Sequence, residues 1–288
     1  MTLEEFNHLS KEEAALQLIN CCGSVKWQQA MMNALPFQNA KELIKTMQQI
    51  WYKECVKEDW LEAFSHHPKI GDIKSLTEKF AATKELAGNE QKNVNNAPAE
   101  IINNLAKANT EYEEKFGFIF IVCATGKSAE EMLDLLNDRL QNSKKEEINI
   151  AMGEQNKITF LRIKKLIPVA EWEHIQPCQL TTHVLNTSLG KPGKNITIRL
   201  QKMNEALWET FAQGITNEDG RVADLLPQGL VLDPDKYKIV FETATYFKKE
   251  NIKTFYPAVE IQFNIFDDAH YHVPLLINPF GYSTYRGS

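Results

Sequence analysis

The sequence predicts two domains of different class in one chain: an N-terminal all-α helical bundle and a C-terminal all-β sandwich. Three observations carry this. The chain has 288 residues, more than one ordinary domain and comfortable for two. Up to about residue 167 apolar residues recur at helical spacing, and helix formers dominate. From about residue 178 they alternate with polar ones, the period of a half-buried strand.

The helical elements begin with Ser10 and Glu13, which have the spacing of a capping box ahead of an apolar-periodic run; Gly23 is the expected stop. Leu43, Met47, Ile50 and Trp51 keep helical spacing after Asn39, and Ile101, Ile102, Leu105 and Tyr112 do so again. Ser128 and Glu131 form a second capping box before Met132, Leu135 and Leu136. Core packing accounts for these stripes.

The texture changes at Ile167. The stretch from Pro168 to Pro177 has a proline at each end and weak periodicity, so it reads as a linker between a domain of residues 1–167 and one of 178–288. Ile196, Ile198 and Leu200 alternate with Thr197, Arg199 and Gln201. The runs Tyr237–Tyr246, Ala258–Ile265 and Tyr271–Ile277 also read as strands, with Asp219-Gly220 a tight turn and Ile252–Phe255 a short helical turn. About 110 residues with many short strands fit a sandwich.

Composition narrows the function. Apolar residues make up 43%, and the net charge of −6 opposes a general nucleic-acid binder. No apolar run of about 18 residues predicts a membrane span. The start MTLEEFNHLSKEE is acidic and unlike a secretory signal, and the end Tyr-Arg-Gly-Ser is unlike a peroxisomal address. The five cysteines form no C-x-x-C pair and read as reduced thiols. The expectation is a cytoplasmic protein acting on small molecules, without nucleic-acid or membrane partners.

Two segments stand out chemically. In Phe64-Ser-His-His-Pro-Lys-Ile-Gly-Asp72, proline biases His67 away from helical backbone. A histidine on such a corner serves as an acid or base, or is simply a surface residue ending a helix. In the C-terminal half, His183, Asp219-Gly220-Arg221 and His270-Tyr271-His272 stand out, and two histidines and an arginine could activate water and stabilise an oxyanion. They could equally be ordinary strand residues. His270 and His272 share one strand face, which would also suit a metal, but no cysteine or acidic cluster has the spacing of further ligands, so no metal is expected.

The motif His67-Pro68-Lys69-Ile70-Gly71-Asp72 resembles that of the 2-oxo-4-hydroxy-4-carboxy-5-ureidoimidazoline (OHCU) decarboxylases. Glu90-Gln91, the run Lys115 to Cys123, and Ile158-Thr159-Phe160-Leu161-Arg162 follow in the family's order, so the resemblance covers roughly residues 5–167. It implies an all-α bundle without metal or organic cofactor. It also implies His67 as the catalytic histidine and proton donor, Pro68 shaping its pocket, and Glu90 and Gln91 on the ureido and ring nitrogens. Arg162 would meet substrate oxygens, and Phe118, Ile119, Phe120, Ile121 and Val122 would supply backbone groups to the ring. Ala87 stands where many members have serine, which removes one substrate hydroxyl contact. His66 is assigned a structural role.

Residues 178–288 resemble 5-hydroxyisourate hydrolase, the enzymatic relative of transthyretin, through Leu180 to Asn186, Asp219-Gly220-Arg221, His270 to Leu276 and the closing Phe280 to Ser288. This implies a transthyretin-like sandwich with His183, Arg221, His272 and Ser288 in the active site. Tyr285 would close it, and the Ser288 carboxylate would be part of it, while His270 would flank the site. It also implies a homotetramer formed through this domain. The two resemblances together imply a bifunctional enzyme of urate breakdown that hydrolyses 5-hydroxyisourate to OHCU and decarboxylates OHCU stereoselectively to (S)-allantoin. The alternatives are a chain in which only the hydrolase is active and the helical domain is a scaffold, and a transthyretin-like small-molecule carrier.

Overall fold

The computed structural model describes residues 1–68, 99–175, 178–222 and 224–287. The chain divides into two compact units, Met1–Ile175 and Gln176–Ser288.

Every regular element described in the first unit is helical: α1 (Leu3–Asn7), α2 (Lys11–Cys21), α3 (Val25–Asn33), α4 (Ala40–Gln49), a π-helical turn (Ile50–Glu54), α5 (Lys57–Ser65), α6 (Ala99–Phe116), α7 (Ala129–Arg139), α8 (Lys144–Leu166) and a 3-10 turn (Ala170–His174). The starts are written in side chains. The expected boxes Ser10/Glu13 and Ser128/Glu131 form, with two more at Thr2/Glu5 and Ser143/Glu146, each satisfying two amides that a helix start leaves open. Asn39 caps α4 by accepting from the Glu42 amide. Gly23 serves differently from the expected stop. Helix α2 ends at Cys21, and a Cβ on Gly23 would lie 2.4 Å from His66 Cγ, so the residue is small because a ring packs on it. Trp27, Met31, Leu43, Trp51 and Phe64 are fully buried in one core cluster. The Trp51 indole N–H donates to the Met152 carbonyl at 2.9 Å, tying the π turn to the middle of α8. Within the stretch read as a linker, Trp172 is buried, with its ring edge-on to Phe160 and its N–H donating to the Ile167 carbonyl at 2.6 Å.

The second unit is built of short strands: β1 (Leu180–Thr181), β2 (Val184–Asn186), β3 (Lys191–Pro192), β4 (Thr197–Asn204), β5 (Leu207–Ile215), β6 (Asp235–Phe241), β7 (Val259–Ile265), β8 (Tyr271–His272), β9 (Leu275–Asn278) and β10 (Gly281–Thr284). They form sheets of order β5-β4-β6-β7, β10-β9-β2-β3 and a small parallel pair β1-β8. Ile196, Ile198, Leu200, Ile239, Phe241, Val259 and Leu275 share one core cluster. Three expectations are corrected. The run Tyr237–Tyr246 is strand only to Phe241, because helix α9 (Thr243–Lys249) follows and buries Tyr246 and Phe247. The unit is therefore not purely β, and no helical turn occupies Ile252–Phe255. The run Tyr271–Ile277 splits into β8 and β9 at Val273-Pro274, where proline cannot donate to a ladder.

Candidate active sites

In the helical unit, α5 ends at Ser65 and the chain turns through His66, whose amide donates to Ala63, and His67, whose amide donates to the Phe64 carbonyl at 3.1 Å. Proline follows and cannot continue the helix. This corner faces a run of irregular backbone after α6, which Gly117 starts by turning at φ +84°, a value that favours glycine. His67, Pro68, the stretch Phe120 to Thr125, Ile158 and Leu161 line one pocket. The lining begins at Phe120. Phe118 packs instead against Phe64, Tyr112 and Phe116, and Ile119 against the core. Ala87, Glu90 and Gln91 lie outside the described residues.

Buried charges hold this wall from behind. The Arg139 guanidinium donates to the Ile121 carbonyl at 2.7 Å and pairs with Glu147, which also accepts from Tyr112 and, at 2.7 Å, from Asn142. The Glu154 carboxylate, paired with Lys157, accepts the Cys123 amide at 2.7 Å. Burying an ion pair is costly and seldom adds net stability, so its effect here is to fix where the main chain of the wall sits. Arg139 also lies over the Phe120 ring at 4.7 Å.

His67 is set by its neighbours on α8. Its Nε2 lies 2.7 Å from Gln155 Oε1. Thr159 Oγ1 spends its proton on the Gln155 main-chain carbonyl at 3.0 Å, so it accepts from Gln155 Nε2 at 3.1 Å. That fixes which end of the Gln155 amide faces His67, and an amide oxygen can only accept. His67 therefore carries its proton on Nε2 and leaves Nδ1 bare. Burial, and then the Arg162 charge, push the His67 pKa down to about 3, opposed by the Gln155 hydrogen bond. Arg162 is almost buried, with Nη1 3.4 Å from the Asn20 carbonyl; it acts on His67 without lining the pocket. Gln155 escaped the sequence reading, although positions 155, 159 and 162 share one helix face at i, i+4 and i+7. Burial pushes the thiols of Cys21, Cys22 and Cys55 up to about 12, so they are not nucleophiles.

The second site lies where β1, β8 and the turn before Arg221 meet. Thr181 and His272 are register partners in the parallel pair, and bridges join His183 to Arg221 and His272 to Gly287. The turn depends on Gly220, at φ +71°, where a Cβ would fall 2.3 Å from the Val184 carbonyl oxygen. Asn217 closes it by accepting the Asp219 and Arg221 amides at 3.0 Å. Gly287 donates its amide to the His272 carbonyl at 2.9 Å, and a Cβ there would lie 2.4 Å from His272 Cδ2, so only glycine leaves the ring its place. Burial and then Arg221 lower the pKa of both His183 and His272; hydrogen bonds to the Asp219 and Thr181 main chain oppose this. Both rings are uncharged bases at neutral pH, and Arg221, exposed beside them, is the cation. Tyr285 is 58% exposed, and Ser288 lies outside the described residues. Among the described residues no group of three or more His, Cys, Asp and Glu side chains could hold a metal ion.

The chain pairs a helical unit, with a pocket lined by His67, and a unit of β-sheets that brings His183, Arg221 and His272 together. The OHCU decarboxylase family model matches residues 7–164, and the HIUase/Transthyretin family model matches residues 180–287. The uric acid degradation bifunctional protein TTL of Arabidopsis thaliana is 32% identical over 317 residues, covering 93% of this chain and 96% of that protein. 5-Hydroxyisourate hydrolase 2 of Rhizobium meliloti is 43% identical over 115 residues, covering 38% of this chain and 96% of its own length. A crystal structure of (S)-allantoin synthase aligns over 100% of both chains with 23% identity and a TM-score of 0.46. The chain belongs to the OHCU decarboxylase family, in the form fused to an HIUase/Transthyretin domain, and it is an enzyme of urate degradation with hydroxyisourate hydrolase and decarboxylase activities.

Proposed function

We propose that the chain runs two consecutive steps, hydrolysing 5-hydroxyisourate in the β half and decarboxylating the resulting OHCU stereoselectively to (S)-allantoin in the helical half. The observation that carries this is a histidine set beside an arginine in each half: His67 in the pocket lining with Arg162, and His272 with Arg221 and His183 where β1, β8 and the Arg221 turn meet. In the first step His272 takes a proton from water, whose oxygen attacks the lactam carbonyl. Arg221 stabilises the oxyanion, the C–N bond breaks, and the departing nitrogen takes a proton back, with His183 as the second acid–base group. In the second step the bond to the carboxylate breaks, carbon dioxide leaves, and the electron pair passes into the adjacent imine. The ring hydroxyl gives up its proton and becomes a carbonyl, the neighbouring ring carbon is protonated on one face, and a proton comes from solvent to balance the charge. A neutral His67 suits this exchange: it accepts the hydroxyl proton at Nδ1 and then acts as the donor to carbon. Pro68 and the main chain of Phe120 to Val122, with Glu90 and Gln91, would orient the ring, Arg162 would act through the charge it sets beside His67, and Ser288 and Tyr285 would complete the hydrolase site.

The same reading takes residues 1–167 as an all-α decarboxylase domain, 168–177 as linker, and 178–288 as a transthyretin-like sandwich. It includes a homotetramer through the sandwich, supported by the edge strands β7 and β10 and by the exposed Phe255, Phe266, Phe280, Tyr282 and Tyr285. It takes the chain as cytoplasmic and free of cofactors. The five cysteines are all buried thiols, which supports the compartment. No described helix is long and apolar enough to cross a membrane.

The test is to supply 5-hydroxyisourate and follow both products by NMR and circular dichroism. Wild type gives a single-signed dichroism signal on the timescale of hydrolysis. His67→Ala consumes 5-hydroxyisourate normally, accumulates the intermediate, and yields slow, optically inactive allantoin, because uncatalysed protonation has no chiral surface to direct it. A wild-type signal from that variant removes His67 from the mechanism. Racemic product from wild type leaves the hydrolase alone active.

A further inference from the structure

Resting on the hydrolase reading above, we propose that Thr181 and His270 are positioning residues that keep Nε2 of His272 free of its proton and so hold this histidine ready as the base. Three contacts force the argument. His270 Nδ1 lies 2.9 Å from the Cys178 main-chain carbonyl oxygen. A carbonyl only accepts, so His270 places a proton on Nδ1. In the neutral ring Nε2 then holds a lone pair, and it lies 3.0 Å from Thr181 Oγ1. A hydroxyl has one proton; Thr181 donates it to His270 and has only lone pairs for its other neighbour. That neighbour is His272 Nδ1, at 2.9 Å. His272 therefore carries its proton on Nδ1, and its Nε2 is bare.

The fold supplies the spacing. Thr181 and His272 are cross-strand partners, and His270 stands two residues earlier, on the same side by strand alternation. The hydroxyl thus sits between two rings on one side of β8, while Gly287 packs against the Cδ2 edge of His272, next to Nε2. The ring is held from both sides, and the nitrogen left without a proton lies on the edge away from Thr181. A neutral histidine in the other tautomer would be a base pointing at a threonine, useless to a water at the opposite edge.

The relay is tested on the full-length chain labelled with 15N-histidine, together with hydrolysis kinetics on 5-hydroxyisourate. His272→Ala assigns the His272 signals and checks the base itself. In wild type, His272 shows a protonated Nδ1 and a pyridine-type Nε2. Thr181→Val removes the hydroxyl at nearly constant volume; it should lower kcat about 10-fold at near-constant KM, part of the value of a positioned base, and let the Nε2-protonated form appear. Thr181→Ser, which restores the hydroxyl, should restore both readouts. His270→Phe, at an exposed position, should reproduce part of the loss without disturbing the fold. Wild-type kcat in Thr181→Val, with His272→Ala inactive, overturns the relay while leaving the base. A slow Thr181→Val with an unchanged His272 tautomer also overturns it, since the threonine would then be only structural. A fully active His272→Ala overturns the hydrolase assignment itself.

Discussion

The two halves of the chain prepare a histidine by opposite means. In the helical half the partners of His67 are side chains distant in sequence: Gln155 is 88 positions away, and only the packing of α5 against α8 brings them together. The outcome is a ring protonated on Nε2. In the β half His272 is prepared by register. Thr181 stands opposite it in the β1–β8 pair, and the outcome is a ring protonated on Nδ1. A bundle fixes a tautomer through side-chain amides and hydroxyls whose own orientation must be locked. A sheet brings the partner into place through strand pairing, since a one-residue slip would turn every side chain over, and a neighbouring side chain, His270, then orients the hydroxyl.

This contrast is sharpened first where the effect is largest. Each of His183→Ala, Arg221→Ala and His272→Ala should slow 5-hydroxyisourate hydrolysis by about 100-fold or more, the range for a positioned base or oxyanion donor. Decarboxylation of separately supplied OHCU should be unchanged, since sites without shared contacts behave independently. Loss of both activities in one variant would break the independence of the halves. Next, Gln155→Leu should lower decarboxylase kcat about 10-fold, because it frees the ring to carry its proton on either nitrogen. Gln155→Glu should move the pH–rate profile instead. A carboxylate facing His67, against Arg162 and His66, raises the histidine pKa, so the acid limb shifts to higher pH. An unshifted profile in Gln155→Glu would show that Gln155 does not set the charge of His67.

The smallest effect is on stability. The unfolded chain protonates His67 near its ordinary value of about 6.5, whereas the folded ring resists protonation down to about 3. The folded state therefore loses stability as pH falls below the unfolded value, and continues to lose it until the folded ring titrates. Between pH 7 and pH 5 wild type should lose about 1–2 kcal/mol more than His67→Gln. Urea denaturation followed by tryptophan fluorescence checks this, since Trp27, Trp51, Trp60 and Trp172 all lie in the helical half. Equal losses would mean that the ring is solvated in the folded state.

Much of this organisation was legible in the sequence, and for identifiable reasons. The capping boxes at Ser10 and Ser128 are local, four-residue signals, and both form. Alternation in Ile196 to Gln201 is equally local, and β4 is there. What escaped was either non-local or hidden by similar composition. Helix α9 looked like a continued strand because Thr243, Tyr246 and Phe247 suit strands as well as a short helix buried on one face. Trp172 sat in a stretch whose prolines signal a loop, while its burial depends on Phe160, twelve residues back. His67, His183, Arg221 and His272 stood out by residue type and motif. Gln155 and Thr181 did not, because a neutral amide and a hydroxyl become informative only when their hydrogen-bond partners are known.

The buried pair Arg139–Glu147 has a consequence for how the helical pocket can vary. Arg139 and Glu154 hold the Ile121 carbonyl and the Cys123 amide from behind, so exchanging Phe120 or Val122 for another apolar residue alters fit at the lining without touching what fixes the wall. The sensitivity moves to a residue outside the pocket lining. Arg139 holds the Ile121 carbonyl in place, and removing its charge would leave Glu147 buried without its counterion and the wall free to shift. Selection on what this pocket accepts can therefore work freely on the surface that meets the molecule, while the surface behind it is the one that cannot drift.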